Sequence, residues 1–392
     1  MQPALHHVSP YSGSWYPDDA SELRELLDRL FADSENRTGR WSAPQAAGFV
    51  VPHAGLVYSG TVAAAAYRQI RALAPERIVL LGFRHRGMSS GAWLPDVAAF
   101  QTPLGDIGVD REFCAALAAT GAFKTVAEQT LCDHSIEIQL PLLQAAAPSA
   151  RIVPIYVSQL DTERRSATAR KLAPLIEPGT ILVASSDFTH YGRDFAYQPF
   201  PADDSTGERL RELDESVIDA ASTLDPAAFL RRLHASGSTV CGYEPIALLL
   251  ETLRLLGERE EIFQDTLDYR TSGDITGDFH LSVSYAALGY FPYRAFELGP
   301  EDQQVLIESA RRTLAHFLET GKREPVAAVG GTAALERRAG VFVTLHSQGE
   351  LRGCVGRAVS DQPLARTTAS LTLAAALDDT RFPRVRPGEE GI

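Results

Sequence analysis

Five short segments of this chain each present a histidine, aspartate or cysteine at the end of an apolar run or at a turn. They are Val51-Pro52-His53-Ala54-Gly55, Leu81-Gly82-Phe83-Arg84-His85, Asp133-His134-Ser135-Ile136-Glu137, Ser186-Asp187-Phe188-Thr189-His190 and Cys241-Gly242-Tyr243. Imidazole, thiolate and carboxylate are the groups that hold metals and move protons near neutral pH. Three of the segments directly follow runs that read as buried strands. In an open α/β sheet the strand C-termini meet along one rim, where ligand sites form. Residues far apart in sequence would then meet in space, and a metal or acid/base site is the expected result.

His53 and His85 end successive expected strands, which suits a shared metal as well as two hydrogen-bonded rim histidines. Asp187 and His190 lie three apart just past another strand. They offer a carboxylate ligand and a general acid/base, or a turn cap and a packed ring. His134 and Glu137, at i and i+3, share a face if Ser135–Leu143 is helical. Cys241 stands before Gly242 at a helix entrance, where the helix N-terminus would favour a thiolate. A His/His/Cys set suits zinc, copper or iron, with an open fourth position if it is catalytic. Trp15, Tyr16 and Tyr58 are candidate pocket walls, while His6, His7, His234, His280, His316 and His346 read as surface or packing residues.

These residues need a scaffold, and the hydrophobic pattern supplies one. Leu23, Leu26, Leu27 and Leu30 fall on one face of an amphipathic helix. Strands are expected at 47–51, 77–81, 151–157, 180–184 and 282–290, with helices at 61–70 and 244–256. Strands alternating with helix-length segments predict an α/β fold, a mixed sheet flanked by helices. A boundary falls near residues 293–300, separating a domain at 1–295 from a smaller α+β domain at 296–392. In that second part a helix is expected from Glu301 to Leu318. A hairpin follows, with strands at 340–345 and 351–356 about a turn at 346–350, and then a helix near 371–377.

With 392 residues the chain is long enough for two cores. Its net charge of −13 argues against nucleic acid as a partner, because phosphate binding needs basic surface. Only three of the 37 basic residues are lysine, a bias that reads as genomic base composition. No apolar run approaches the roughly 20 residues needed to span a bilayer, and no secretory pattern is visible, so a cytoplasmic location is expected. The four cysteines form no close pair. Cys114 reads as core. Cys354 reads as a structural strand residue, although Arg352 nearby would favour its thiolate.

Taken together, the segments resemble the Memo family. The matching stretches are Gly13-Ser14-Trp15-Tyr16-Pro17, Pro52-His53-Ala54-Gly55 with Tyr58-Ser59-Gly60, Asp133-His134-Ser135-Ile136-Glu137 with Gln139-Leu140-Pro141, Ser185 to Gly192, Cys241-Gly242 and Ser282 to Ala287. The part from about Glu301 resembles a partial AMMECR1 domain that lacks roughly its later half. It carries Gly340 to Leu345, Leu351 to Gly356 and Asp379-Thr380-Arg381-Phe382-Pro383.

The first resemblance implies a fold similar to class III extradiol dioxygenases, which hold Fe(II) with two histidines and a carboxylate. It implies His53 and His85 as histidine ligands, with Cys241 where those enzymes use an acid. His190 is the implied acid/base, Asp187 its companion and His134 a pocket residue. The expected function is a non-haem, metal-dependent oxidoreductase with Fe(II), or else copper or zinc. A non-catalytic metal-binding scaffold and a zinc hydrolase are the alternatives. Implied partners are a small-molecule or peptide substrate and a radical-SAM protein. Two departures stand out: the cysteine replaces a carboxylate, and Phe83-Arg84 precedes His85, where the arginine would narrow the pocket or bind an anionic substrate.

Overall fold

Four parallel strands form the centre of the sheet, and their register sets the level at which the site is built. In the computed structural model, which describes residues 5–389 apart from 88, 259, 329 and 361, they stand in the order Gly48–Val51, Thr180–Ser185, Arg77–Gly82 and Arg151–Ser158. Val51 pairs with Ser185, and Leu81 with Ala184, so these strands end on one rim. The chain leaves that rim at His53, at Asp187 and at Phe83 to His85. Beyond Arg151–Ser158 the sheet continues with Gly91–Pro95, antiparallel to it, and then Phe123–Val126. On the other side Leu281–Pro292 runs antiparallel to Gly48–Val51 and also pairs with Ile262–Thr271 and His190–Gly192. The sheet is therefore mixed, as the alternating pattern predicts.

Helices cover both faces. Ala20–Thr38 buries Leu23, Leu26, Leu27 and Leu30, and Asp19 caps it by accepting from the amides of Ser21 and Glu22. The helix expected at 61–70 runs from Leu56 to Leu73, and the one expected at 244–256 runs from Tyr243 to Gly257. The inner residues of the latter are almost wholly buried against the sheet, in a cluster with Val79, Val153, Leu182 and Leu288. A three-stranded sheet of His6–Val8, Ala99–Thr102 and Gly105–Gly108 lies apart from the main one.

The helix expected at Ser135–Leu143 is two helices, His134–Glu137 and Gln139–Ala146. Pro141 explains the break: it has no N–H to give the Glu137 carbonyl, and its ring crowds that group. His134 and Glu137 both lie in the first of the two helices, yet His134 stacks on His85 while Glu137 meets His7.

The chain divides into two compact units, 1–39 with 45–293, and 40–44 with 294–392. The short piece Arg40–Pro44 thus joins the second unit, which local pattern did not reveal. That unit contains the helix Pro300–Thr320, the strands Val341–Ser347 and Glu350–Arg357, and the helix Leu364–Leu377. Leu314, Phe317, Val343, Leu345, Leu371 and Leu373 form its core. The expected five-residue turn tightens to Gln348-Gly349, both left-handed at φ 51° and 88°, the geometry that matches strand twist in a two-residue hairpin. Arg352 does not act on Cys354; it pairs with Glu389 at 3.0 and 3.2 Å. The polar end at Glu390–Ile392 lies outside the described residues.

Candidate metal centre

His53 leaves the rim two residues past its strand and is almost fully buried. Its backbone N–H donates to Asp187 Oδ1 at 2.7 Å, which ties the ends of two neighbouring strands together. On the ring, Nδ1 lies 3.0 Å from Ser185 Oγ, and Nε2 lies 3.2 Å from Cys241 Sγ. With the proton on Nδ1, the Nε2 lone pair is directed at the site. Gln139 holds this arrangement from behind, donating to Pro52 O at 2.9 Å and to Ser185 Oγ at 3.0 Å.

His85 is held by the turn at Asp133. The Asp133 carboxylate accepts from the His85 amide at 3.1 Å, lies 2.9 Å from Nδ1, and caps its own helix through Ser135 N at 3.0 Å. Ser135 Oγ accepts from Phe83 N and donates to Phe83 O. A carboxylate on Nδ1 leaves Nε2 free, the usual support for a metal-binding histidine. Gly82 permits this close fit: a Cβ there would lie 2.5 Å from Ile136 Cγ1 and 2.8 Å from Ser135 Oγ. His134 thereby stacks on His85 with ring centroids 3.9 Å apart and meets the ring of His53 at 5.5 Å. Phe83 faces the same group, 4.2 Å from the His85 ring. Arg84, expected to narrow the pocket or bind an anion, is absent from the walls the described residues form.

Cys241 enters from the Tyr243–Gly257 helix. The Asp187 amide donates to its sulfur at 3.3 Å, and the Gly242 amide donates to Ser186 Oγ at 2.9 Å. The expectation of a thiolate stabilised by the helix is reversed in the metal-free protein: burial, then the nearby Asp187 charge, pushes the thiol pKa up. His190 Nδ1 lies 2.9 Å from Phe188 O and 3.1 Å from Thr239 O. Carbonyls only accept, so Nδ1 carries the proton and Nε2 is the basic atom. These two carbonyls, and not Asp187, orient the ring. Beneath it Asp214, which drew no notice in sequence, accepts from Thr189 N at 3.2 Å, Thr189 Oγ1 at 2.6 Å and Tyr269 OH at 2.7 Å. A lone aspartate inside a helix carries no local signal of such a role.

Among the described residues, two sets of donor atoms at this rim lie within 4.8 Å of one another. One is His53, His85 and His134; the other is His53, Asp187 and Cys241. They share His53, and neither contains both His85 and Cys241. His134, expected to act on substrate, stands among the ligand candidates. Glu137, expected beside it, instead pairs with His7 at 3.1 Å. The site opens into a pocket of about 850 Å³ walled by Trp15, Tyr16, Tyr58, His190 and Phe195, a size suited to a small ligand.

The profile of the Memo-like protein family matches residues 9–289. The chain belongs to this family. A MEMO1 family protein of Methanopyrus kandleri is 31% identical, with 71% of this chain and 96% of that one covered. The protein memo-1 homolog of Caenorhabditis elegans is 32% identical over 71% of this chain and 80% of its own length. Protein MEMO1 of Xenopus laevis is 33% identical over 71% and 94%. The AMMECR1 profile matches residues 307–390, so this Memo-like protein carries a second recognised domain. Among its described residues no helix is long and apolar enough to cross a membrane.

Two imidazoles of this Memo-like site, His53 and His134, are held toward the neutral form. Burial lowers the His53 pKa well below its ordinary value, helped by His134 and His85. Burial also lowers His134 to about 4, against the pull of Asp133. Asp133 is disfavoured by burial, yet its hydrogen bond from His85 and the adjacent imidazoles hold it at about 2. The unfolded chain takes up a proton on His134 near its ordinary 6.5, whereas the folded protein resists until about 4. Stability is therefore intact above pH 6.5 and falls as pH drops toward 4. His134 alone accounts for a loss of about 2 kcal/mol between pH 7 and pH 5. Asp133 adds a further loss only below its ordinary 3.8. Urea unfolding of metal-free protein should show this decline, and a flat profile from pH 7 to 5 would contradict it.

Proposed function

We propose that this protein is a non-haem, metal-dependent oxidoreductase acting on a small molecule, with Fe(II) as its metal and copper as the next choice. The observation that carries the reading is the sharing of His53 between an imidazole group and a thiol–carboxylate group beneath one open pocket. The donor chemistry fits such a metal. His53 and His85 present Nε2 while partners occupy Nδ1, and Cys241 adds a soft donor 3.2 Å from His53. In this reading His53, His85 and Cys241 are the ligands. The metal would supply redox chemistry and Lewis acidity.

The remaining residues have separable roles. His190, with Nδ1 committed to two carbonyls, takes and returns a proton at Nε2. Asp187 holds the His53 segment through its amide and keeps Cys241 in place through its own. His134 stacks on His85 and limits its motion. Trp15 and Tyr58 offer apolar walls that would hold a substrate and exclude water.

Anaerobically purified full-length protein tests the reading. Near-stoichiometric iron or copper is expected, with oxygen uptake on a panel of small phenolic and thiol substrates. His190→Ala should keep the metal and lose at least about 100-fold in turnover, the usual share of a general base. Loss of metal in that variant would refute the role of His190. Zinc alone, with no redox signal, would favour the hydrolase reading instead.

A further inference from the structure

A second group of donors sits on the far side of the Asp133–Glu137 turn. His7 Nε2, Cys132 Sγ and a Glu137 carboxylate oxygen lie within 4.8 Å of one another. Each comes from a different anchored element. His7 lies in the strand His6–Val8, opposite Phe100, and its ring packs edge-on against Phe100 at 5.3 Å. The Cys132 amide donates to Glu128 O at 2.8 Å. Glu137 ends the helical turn that begins with His134.

The Glu137 carboxylate is the decisive observation. Its side chain is 1% exposed, and among the described residues it pairs with His7 at 3.1 Å. Its second oxygen, Oε2, is buried without a hydrogen-bond partner among the described residues. A buried carboxylate oxygen left unsatisfied is costly, and native proteins resolve such cases with a proton, a water or an ion. Glu128, buried in the adjoining turn, also leaves its Oε2 without a partner among the described residues. His7 and Cys132 are only partly buried, so an ion has a route in.

We propose that His7, Cys132 and Glu137 form a second divalent-metal site, separate from the His53 centre and suited to zinc. An imidazole, a thiolate and a carboxylate are the three donor types zinc accepts together. Tetrahedral zinc places its ligand atoms roughly 3.4–3.7 Å apart, given bonds of about 2.0–2.3 Å. The atoms, none more than 4.8 Å apart, reach that spacing if the widest pair closes by at most about 1.4 Å and the His7–Glu137 pair, at 3.1 Å, opens slightly. Binding releases the Cys132 thiol proton to solvent, and the proton shared between His7 Nε2 and Glu137 moves to His7 Nδ1 or to solvent, which frees both atoms for metal bonds. The ion would pin strand His6–Val8 to the turn that carries His134 and Asp133, so its role is to brace the wall of the first centre.

Cobalt(II) is a suitable probe, because a cobalt–thiolate bond absorbs in the near ultraviolet. Equilibrium dialysis of the full chain should give two equivalents for wild type and one for His53→Ala. The residual equivalent should keep the thiolate band and vanish in His53→Ala/Cys132→Ser. His53→Ala/His7→Gln provides the same comparison through the imidazole donor. Zinc should raise the thermal midpoint of His53→Ala by several degrees and leave both double variants unmoved. One equivalent in wild type, lost in folded His53→Ala, would overturn the second site while leaving the first intact. A residual equivalent that survives both double variants would overturn it as well. One equivalent in wild type that is kept with its thiolate band in His53→Ala and lost in both double variants would sustain this site and count against the His53 centre.

Discussion

His53→Ala should abolish metal binding at the rim. His53 is the one residue common to both donor groups there, so its loss leaves His85 and His134 on one side and Asp187 and Cys241 on the other. Removing an outer partner of a metal-bound histidine already costs about 10–100-fold in affinity, so removing the shared ligand should cost at least about 100-fold. Occupancy at micromolar metal would fall from near full to a small remainder. The fold should survive, because Asp187 grips the backbone N–H at position 53 and not the ring. Ser185→Ala, which removes the partner of Nδ1, should fall between wild type and His53→Ala. Metal analysis of the three proteins, purified without oxygen, decides the matter. Full occupancy of the rim site in His53→Ala would remove the basis for the proposed centre.

Gly242→Ala should be among the most damaging methyl additions in the first unit. Position 242 has φ −93°, which alanine adopts freely, so backbone conformation is not the obstacle. The obstacle is space: a Cβ would stand 2.4 Å from Ser185 O and 2.6 Å from Ser186 Cβ. Those atoms belong to the central strand and its exit, which cannot yield as a flexible side chain would. Overpacking of this kind typically costs about 1–3 kcal/mol, and the rigidity of the neighbours puts this case at the upper end. The helix start would be forced outward, carrying Cys241 away from His53, so metal affinity should drop together with stability. Gly257→Ala, at the other end of the same helix with open space around its Cβ, is the control. It should be neutral or stabilising by up to about 1 kcal/mol. Thermal unfolding and metal content of the two variants test the contrast, and equal behaviour would refute the steric argument.

Local chemistry carried much of this protein. The leucines at 23, 26, 27 and 30 specify a helix because a 3.6-residue period needs no knowledge of the partner. The buried strands at 48–51, 77–82 and 180–185 are legible as short apolar runs, and a histidine or aspartate just beyond each one is legible as a rim residue. Pro141 marks the end of the first helical turn, but neither it nor the i, i+3 spacing tells that His134 turns to His85 while Glu137 turns to His7. His7, in a three-residue strand with no periodicity to read, offered no sign that it meets Glu137, 130 residues away.

What the sequence by itself determined, then, is the α/β alternation, the rim and the residue types available there. Those follow from hydrophobic period and from the chain geometry of strands, both of which act over a few residues. Only the tertiary structure decided which donor faces which. His134 joins His53 and His85 because Gly82 lets a turn 50 residues later settle on the strand end. Cys241 meets His53 because a helix start packs against Ser185 and Ser186. His190 takes its orientation from the Phe188 and Thr239 carbonyls instead of from Asp187. Each of these outcomes depends on hydrogen bonds and contacts between segments distant in sequence, and such contacts exist only after the sheet has brought those segments to one edge.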